Sequence, residues 1–181
     1  MKKKMYYALV LGSLSMLLAG CGNSTRMVVD TESNNIKDVT IEENNDATGS
    51  LYTNVSPDND GNIVIDKNGI SSTASYYNYQ SGDTIIQLIG IATESGEKRI
   101  AFNTCQSCNP SPLAYYKQQD DLLICQNCGF EFTPADVGAV SGGCNPMPIE
   151  QLSETDSQFV IPATYLDTFV DVYASWTGPT S

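Results

Sequence analysis

The sequence predicts a mostly β fold: a small β-meander domain with paired C-x-x-C metal knuckles, which follows a disordered N-terminal tether. Three observations support this prediction. Short apolar runs with strand periodicity recur beyond residue 60. Residues 21–59 are polar and acidic and lack an apolar pattern, and two C-x-x-C motifs stand close together. We expect the domain to span residues 60–175, a length that suits a single core.

Residues 1–20 have the pattern of a lipoprotein signal peptide. Lysines at positions 2–4 form a positive region, and an apolar run follows over residues 6–18. Small residues then precede Cys21, as a lipoprotein signal peptidase requires. The apolar run is shorter than the roughly 18 residues that a membrane-spanning helix needs. We therefore expect an extracytoplasmic protein that is anchored to the cell membrane by a lipid, such as palmitate, on Cys21.

Composition excludes several functional classes. The chain has 9 basic and 21 acidic residues, and beyond the signal peptide it lacks the clustered lysines and arginines that contact nucleic-acid phosphates. It contains no histidine, so His-ligated haem, a Rieske cluster and histidine-bound hydrolytic zinc lack their ligands. Ser-His-Asp and Cys-His catalysis are excluded for the same reason. We expect no nucleic-acid partner and no enzyme of the ordinary acid–base type.

The strands of the domain are predicted from apolar runs that end at turn residues. They cover residues 62–66, 75–79, 84–92, 98–102, 121–124 and 158–161. The run at 84–92 is the strongest, and a Gly-containing turn sends the chain back into 98–102, so that the meander leads to Cys105. Only residues 163–173 have room for a helical turn or two.

Two C-x-x-C motifs carry the predicted chemistry. Cys105 and Cys108 form the first, Cys125 and Cys128 form the second, and the sixteen residues between the pairs match a four-cysteine zinc site. Two residues between thiols let one turn direct both sulfurs at one ion, and two such turns complete a tetrahedron. Zinc, iron or copper could each occupy a four-sulfur site. Two disulfides are the alternative in an exported protein, and a catalytic dithiol is a third interpretation.

Cys144 is the remaining thiol of the domain. It lies in a Gly-Gly-Cys-Asn-Pro sequence at residues 142–146, which predicts a tight turn that could bring its sulfur to the knuckles as an additional ligand or a redox thiol. The alternative is a buried, unpaired cysteine that packs as a small apolar side chain. The sequence leaves both interpretations open.

The segment from Phe102 to Ile149 contains A-F-x-x-C-x-x-C, C-x-x-C-G-x-x-F and G-G-C-N-P elements in that order. In these elements it resembles the bacterial family described as membrane iron-sulfur containing protein, FtrD-like. Residues 61–92 and 159–162 resemble the strands that flank the family's cysteine segment. The resemblance implies an iron-sulfur or other metal centre on the five cysteines, with an electron-handling role beside ferrous iron or other metal transport.

These observations together predict a membrane-anchored, extracytoplasmic metal-binding protein. We expect it to serve as an accessory, for metal delivery or electron transfer, to an iron or other metal transport system. Its expected partner is a membrane permease or an electron-transfer protein, because the domain stands alone behind its lipid anchor. Two other functions stay open at this point: a zinc-stabilised protein-interaction module and an extracytoplasmic dithiol oxidoreductase.

Overall fold

A computed structural model describes residues 51–139 and 142–181. The predicted signal peptide, Cys21 and the greater part of the predicted tether lie outside the described residues. Among the residues that the structure describes, no helix has the length and apolar character needed to cross a membrane.

The described residues form ten strands and two short α-helices. The strands are β1 (Tyr52–Val55), β2 (Asn62–Asp66), β3 (Ser75–Ser81), β4 (Thr84–Ala92), β5 (Lys98–Phe102), β6 (Tyr116–Gln119), β7 (Leu122–Cys125), β8 (Glu131–Phe132), β9 (Ser153–Glu154) and β10 (Gln158–Pro162). The helices are α1 (Ala163–Asp167) and α2 (Val170–Tyr173). The predicted mostly β fold is therefore confirmed.

The strands build three small sheets. The largest has the order β1-β3-β4-β5, in which β3, β4 and β5 form the predicted antiparallel meander. The second sheet has the order β2-β10-β9, and the third has the order β6-β7-β8. The third sheet carries the second cysteine motif, since β7 ends at Cys125.

Both faces of the largest sheet are covered, and each face contributes to a different core. Side chains alternate between the two faces along a strand. In β5, Ile100 and Phe102 belong to a core with α1 and α2, whereas Ala101 between them belongs to a second core around Cys105 and Cys125. This double burial explains why β4 is an almost continuous apolar run rather than an alternating one.

The folded domain begins and ends outside the predicted limits of residues 60–175. Strand β1 lies within the segment predicted as tether, pairs in parallel with β3, and stacks Tyr52 on Tyr76 with ring centroids 5.1 Å apart. At the other end, the carbonyl of Thr180 accepts a hydrogen bond from Asn78 Nδ2 at 2.9 Å. Both segments are short and polar, and they are ordered by partners distant in sequence, so local patterning gave no signal for them.

Candidate metal centre

The first knuckle follows directly from the meander. Beyond β5 the chain passes through buried Asn103 and Thr104 to Cys105, which is also buried. The backbone N–H of Cys105 donates to the Ala114 carbonyl at 3.1 Å, which closes the loop that contains Cys108. Cys105 therefore lies in the second core, together with Ala101 of β5.

The two C-x-x-C turns have the same backbone geometry. The N–H of Asn109 donates to the Cys105 carbonyl at 3.0 Å, and the N–H of Gly129 donates to the Cys125 carbonyl at 2.8 Å. Gly129 has a φ of +73°, in the left-handed region that favours glycine. Each turn therefore folds back over its first cysteine, which directs both thiols of a pair to the same side.

A hairpin positions the second knuckle. Strands β6 and β7 pair so that Tyr116 lies opposite Cys125, and the turn between them has Asp120 at a φ of +54°, which aspartate tolerates better than most residues. The two knuckles are joined directly, because the Ser111 hydroxyl donates to Asn127 Oδ1 at 2.6 Å.

The segment that contains Cys144 is attached to the first knuckle by backbone hydrogen bonds. The N–H of Ser107 donates to the Gly143 carbonyl at 3.2 Å, and the N–H of Met147 donates to the Thr104 carbonyl at 3.1 Å. Cys144 is thereby held beside the first motif, where its partly buried side chain also packs against the second core.

The sulfurs of the five cysteines form two groups of three. Those of Cys105, Cys108 and Cys125 lie within 4.8 Å of one another, and so do those of Cys108, Cys128 and Cys144. Cys108 belongs to both groups, and its sulfur is 3.8 Å from that of Cys125. All cysteines of the described residues are free thiols, so the structure contains neither of the disulfide arrangements considered from the sequence.

The two groups differ in their access to solvent. Cys105 and Cys125 are buried, Cys108 and Cys144 are partly buried, and Cys128 is exposed. The first group, which we call the inner triplet (Cys105, Cys108 and Cys125), therefore lies in the core. The second, the outer triplet (Cys108, Cys128 and Cys144), opens to the surface.

The segments that carry the thiols contain no charged residue. Segments 105–115, 125–130 and 142–149 contain no Asp, Glu, Lys or Arg, although the chain has a formal net charge of −12. Neither a competing carboxylate ligand nor a compensating lysine therefore belongs to these segments. A bound cation would be the main source of positive charge for the thiolates.

The thiols have strongly perturbed acidities. Burial raises the pKa of Cys125 to about 11 and also raises the pKa of Cys108. Burial opposes ionisation of Cys105 as well, but hydrogen bonds from Tyr116 and from neighbouring thiols outweigh it and lower the pKa of Cys105. Without a cation, only part of the cluster can be ionised, because adjacent thiolates repel each other.

Tyr116 is a member of this site that sequence reasoning missed. It is fully buried, its hydroxyl donates to the Cys144 carbonyl, and it lies within hydrogen-bonding reach of the Cys105 sulfur. Burial and the adjacent Cys105 raise the pKa of Tyr116, so it acts as a neutral donor. Tyr116 is the first residue of β6, and the other residues of this strand are polar. No apolar run therefore predicted the strand or the burial of Tyr116.

Ligand type and ligand number both suit a thiolate-bound metal centre. Iron-sulfur clusters are usually held by four cysteine thiolates, and zinc and cuprous copper are the simple ions that thiolates select. The cluster offers five sulfurs and no histidine. The residues therefore fit either an iron-sulfur group or thiophilic ions.

A protein-family model described as "Membrane iron-sulfur containing protein FtrD-like" matches residues 70–173, which is more than half of the chain. The matched range contains all five clustered cysteines and Tyr116. No curated protein and no solved structure matches the chain significantly.

Proposed function

The chain belongs to the FtrD-like family of membrane iron-sulfur containing proteins, and on this premise we propose that it is a membrane-anchored, extracytoplasmic metal-binding accessory to an iron or other metal transport system. The observation that carries this proposal is the convergence of five free thiols in one site. A thiolate-bound metal centre supplies either a transferable ion or a redox electron, depending on the metal.

The exposed side of the cluster supports exchange with a partner. Cys128 lies at the surface, and the neighbouring Phe130 is one of the exposed large apolar side chains of the described residues. An exposed aromatic residue beside an exposed thiol suits contact with another protein. The partner that we propose is a membrane permease or an electron-transfer protein, which would receive metal or electrons at Cys128.

The proposed anchor is a lipid on Cys21, and it is supported by the signal-peptide pattern of residues 1–20. A diacylated cysteine provides two acyl chains, which is the number needed for stable anchoring. Cys21→Ala should leave the protein uncleaved or release it in soluble form. Detergent phase partitioning of wild type and variant measures this, and equal recovery in the detergent phase would contradict the lipid anchor.

The experiment that tests the function is analysis of the protein after anaerobic purification. We expect stoichiometric zinc, copper or iron, with or without inorganic sulfide, and loss of that metal when Cys105 is replaced by serine. Visible absorption identifies iron bound to thiolates, which is coloured. A protein without metal whose free-thiol count changes with redox poise would instead indicate a dithiol oxidoreductase. Zinc that resists exchange with any acceptor would indicate a protein-interaction module.

A further inference from the structure

We propose that the cluster is a two-ion site in which the thiolate of Cys108 bridges an inner and an outer thiophilic ion. The inner ion is held by Cys105, Cys108 and Cys125, and the outer ion is held by Cys108, Cys128 and Cys144. This inference deepens the proposed function and rests on it, because it specifies how the thiols divide the metal.

The distances within each triplet match three-sulfur coordination. With metal–sulfur bonds of about 2.3 Å, a trigonal site places its sulfurs about 4.0 Å apart. Cys108 and Cys125 have sulfurs 3.8 Å apart, and no separation within either triplet exceeds 4.8 Å. Side-chain adjustments of less than about 1 Å therefore close both triplets around an ion.

A single four-cysteine ion explains this arrangement less well. A tetrahedron of four thiolates needs all six sulfur separations near about 3.8 Å. In the structure, sets of sulfurs that lie mutually within 4.8 Å contain three members, not four: Cys128 is in one set with Cys108 and Cys144, and Cys105 is in the other with Cys108 and Cys125. Cys144 is also held at the site by a backbone hydrogen bond of its neighbour, from Ser107 N–H to the Gly143 carbonyl at 3.2 Å, and a four-cysteine site does not require this contact.

The scaffold makes the two ions unequal. The inner triplet takes buried Cys105 from an isolated β-bridge with Pro146 and buried Cys125 from the end of β7. The outer triplet takes Cys128 from an exposed turn and Cys144 from a loop between glycines and a proline. The outer ion is therefore the one that solvent, a chelator or a partner protein reaches first.

Thiolates are the protein ligands of both ions in this arrangement, and zinc or cuprous copper is the chemical class that fits. Both are d10 ions that prefer sulfur ligands. Cuprous copper accepts three of them, whereas zinc would complete its tetrahedron with a solvent water as the fourth ligand. Each ion binds as the thiols of its triplet give up their protons to solvent, and no electron is transferred. Inorganic sulfide is not required, which separates this arrangement from an iron-sulfur cluster.

The test is an anaerobic metal titration of the full-length chain carrying Cys21→Ser, in which only the five clustered thiols remain. The reduced, metal-free protein is titrated with Zn²⁺ in one arm and with Cu⁺ in the other, without sulfide, and the ions are counted by native mass spectrometry. We expect two ions per chain in at least one arm. A chelator should remove the outer ion at least tenfold faster than the inner ion.

Substitutions distinguish the two triplets. Cys144→Ser should retain one slowly released ion, and Cys125→Ser should retain one rapidly released ion. Cys108→Ser should lose tight binding of both. Cys144 lies in a partly exposed loop, so the Cys144→Ser variant should keep the fold, and circular dichroism checks this. The number of ions that it binds therefore tests the two-ion site even if Cys108→Ser misfolds.

Two results would overturn the inference while leaving the proposed function intact. One is a single ion in the parent protein that Cys144→Ser retains unchanged, because this is the behaviour of a four-cysteine site. The other is metal that binds only together with inorganic sulfide. If the parent protein binds no metal in either arm or with sulfide, the proposed function fails as well.

Discussion

The backbone N–H of Tyr116 donates to Oδ1 of Asn103 at 2.9 Å, and this bond joins the cysteine-bearing hairpin to the largest sheet. The Asn103 amide also donates to Gln87 Oε1 at 2.6 Å, and Gln87 in turn donates to Asn78 Oδ1 at 2.7 Å. All four residues are buried. A chain of amide side chains therefore crosses the core and ends at the metal centre.

Replacing Asn103 by alanine should destabilise the protein and loosen the centre. The substitution leaves the backbone N–H of Tyr116 and the side-chain Oε1 of Gln87 buried without the Asn103 side chain as their partner. This costs about 1–3 kcal/mol in the free energy of unfolding. Denaturant unfolding of the metal-loaded protein measures this. Asn68→Ala is the matched control, because Asn68 is exposed and its loss should change stability by less than about 0.5 kcal/mol. Equal stability of the two variants would show that the amide chain is not structural.

Removing β1 should lower the melting temperature. A chain that begins at Asn59 loses the parallel pairing of β1 with β3 and the stacking of Tyr52 on Tyr76. The aromatic pair alone is worth about 0.5–1.5 kcal/mol beyond its buried area. The comparison is with a chain that begins at Leu51, which keeps β1. Identical melting temperatures would mean that β1 behaves as the tether that the sequence predicted.

Gly129 and Gly96 offer a matched pair for separating backbone strain from metal binding. Both have positive φ, +73° and +86°, and an added Cβ would meet nothing within 4 Å at either position. Alanine should therefore cost about 1–2 kcal/mol of stability at each site, from the left-handed backbone alone.

Only the change at Gly129 should also weaken metal binding, because its turn directs Cys125 and Cys128. Competition with a chelator measures the affinity of each variant. If Gly129→Ala and Gly96→Ala bind metal equally well, the shape of the second knuckle does not control the site.

The metal-free protein should lose stability as the pH rises from about 9 to about 11. The Cys125 thiol has a pKa of about 11 in the fold against an ordinary value of 9.0. The unfolded chain therefore releases this proton first, so the stabilisation is complete below about pH 9 and disappears as the pH passes the folded value.

Metal should remove most of this dependence, because bound thiols are already deprotonated. Thermal unfolding at several pH values, with and without Zn²⁺, measures the difference. Tyr76, whose pKa burial raises to about 12, titrates in both forms and cancels in the comparison. The same pH dependence with and without metal would contradict thiol ligation.

Much of the strand structure could be predicted from the sequence because its signals are local. Strands β2, β4 and β5 have the predicted limits, since each is an apolar run that ends at turn residues. Strands β1 and β6 were missed. Their sequences, Tyr-Thr-Asn-Val and Tyr-Lys-Gln-Gln, are mostly polar, and their strand conformation depends on distant partners.

The sequence by itself determined the chemistry of this protein: the thiol ligands, the absence of histidine and the spacing of the two knuckles. Only the tertiary structure decided how the thiols are grouped. Whether Cys144 joins the site depends on backbone hydrogen bonds between segments far apart in the chain, such as that from Ser107 to Gly143. Motif spacing sets the reach of a single turn, but the separation of sulfurs on three different segments is set by how the core packs those segments together.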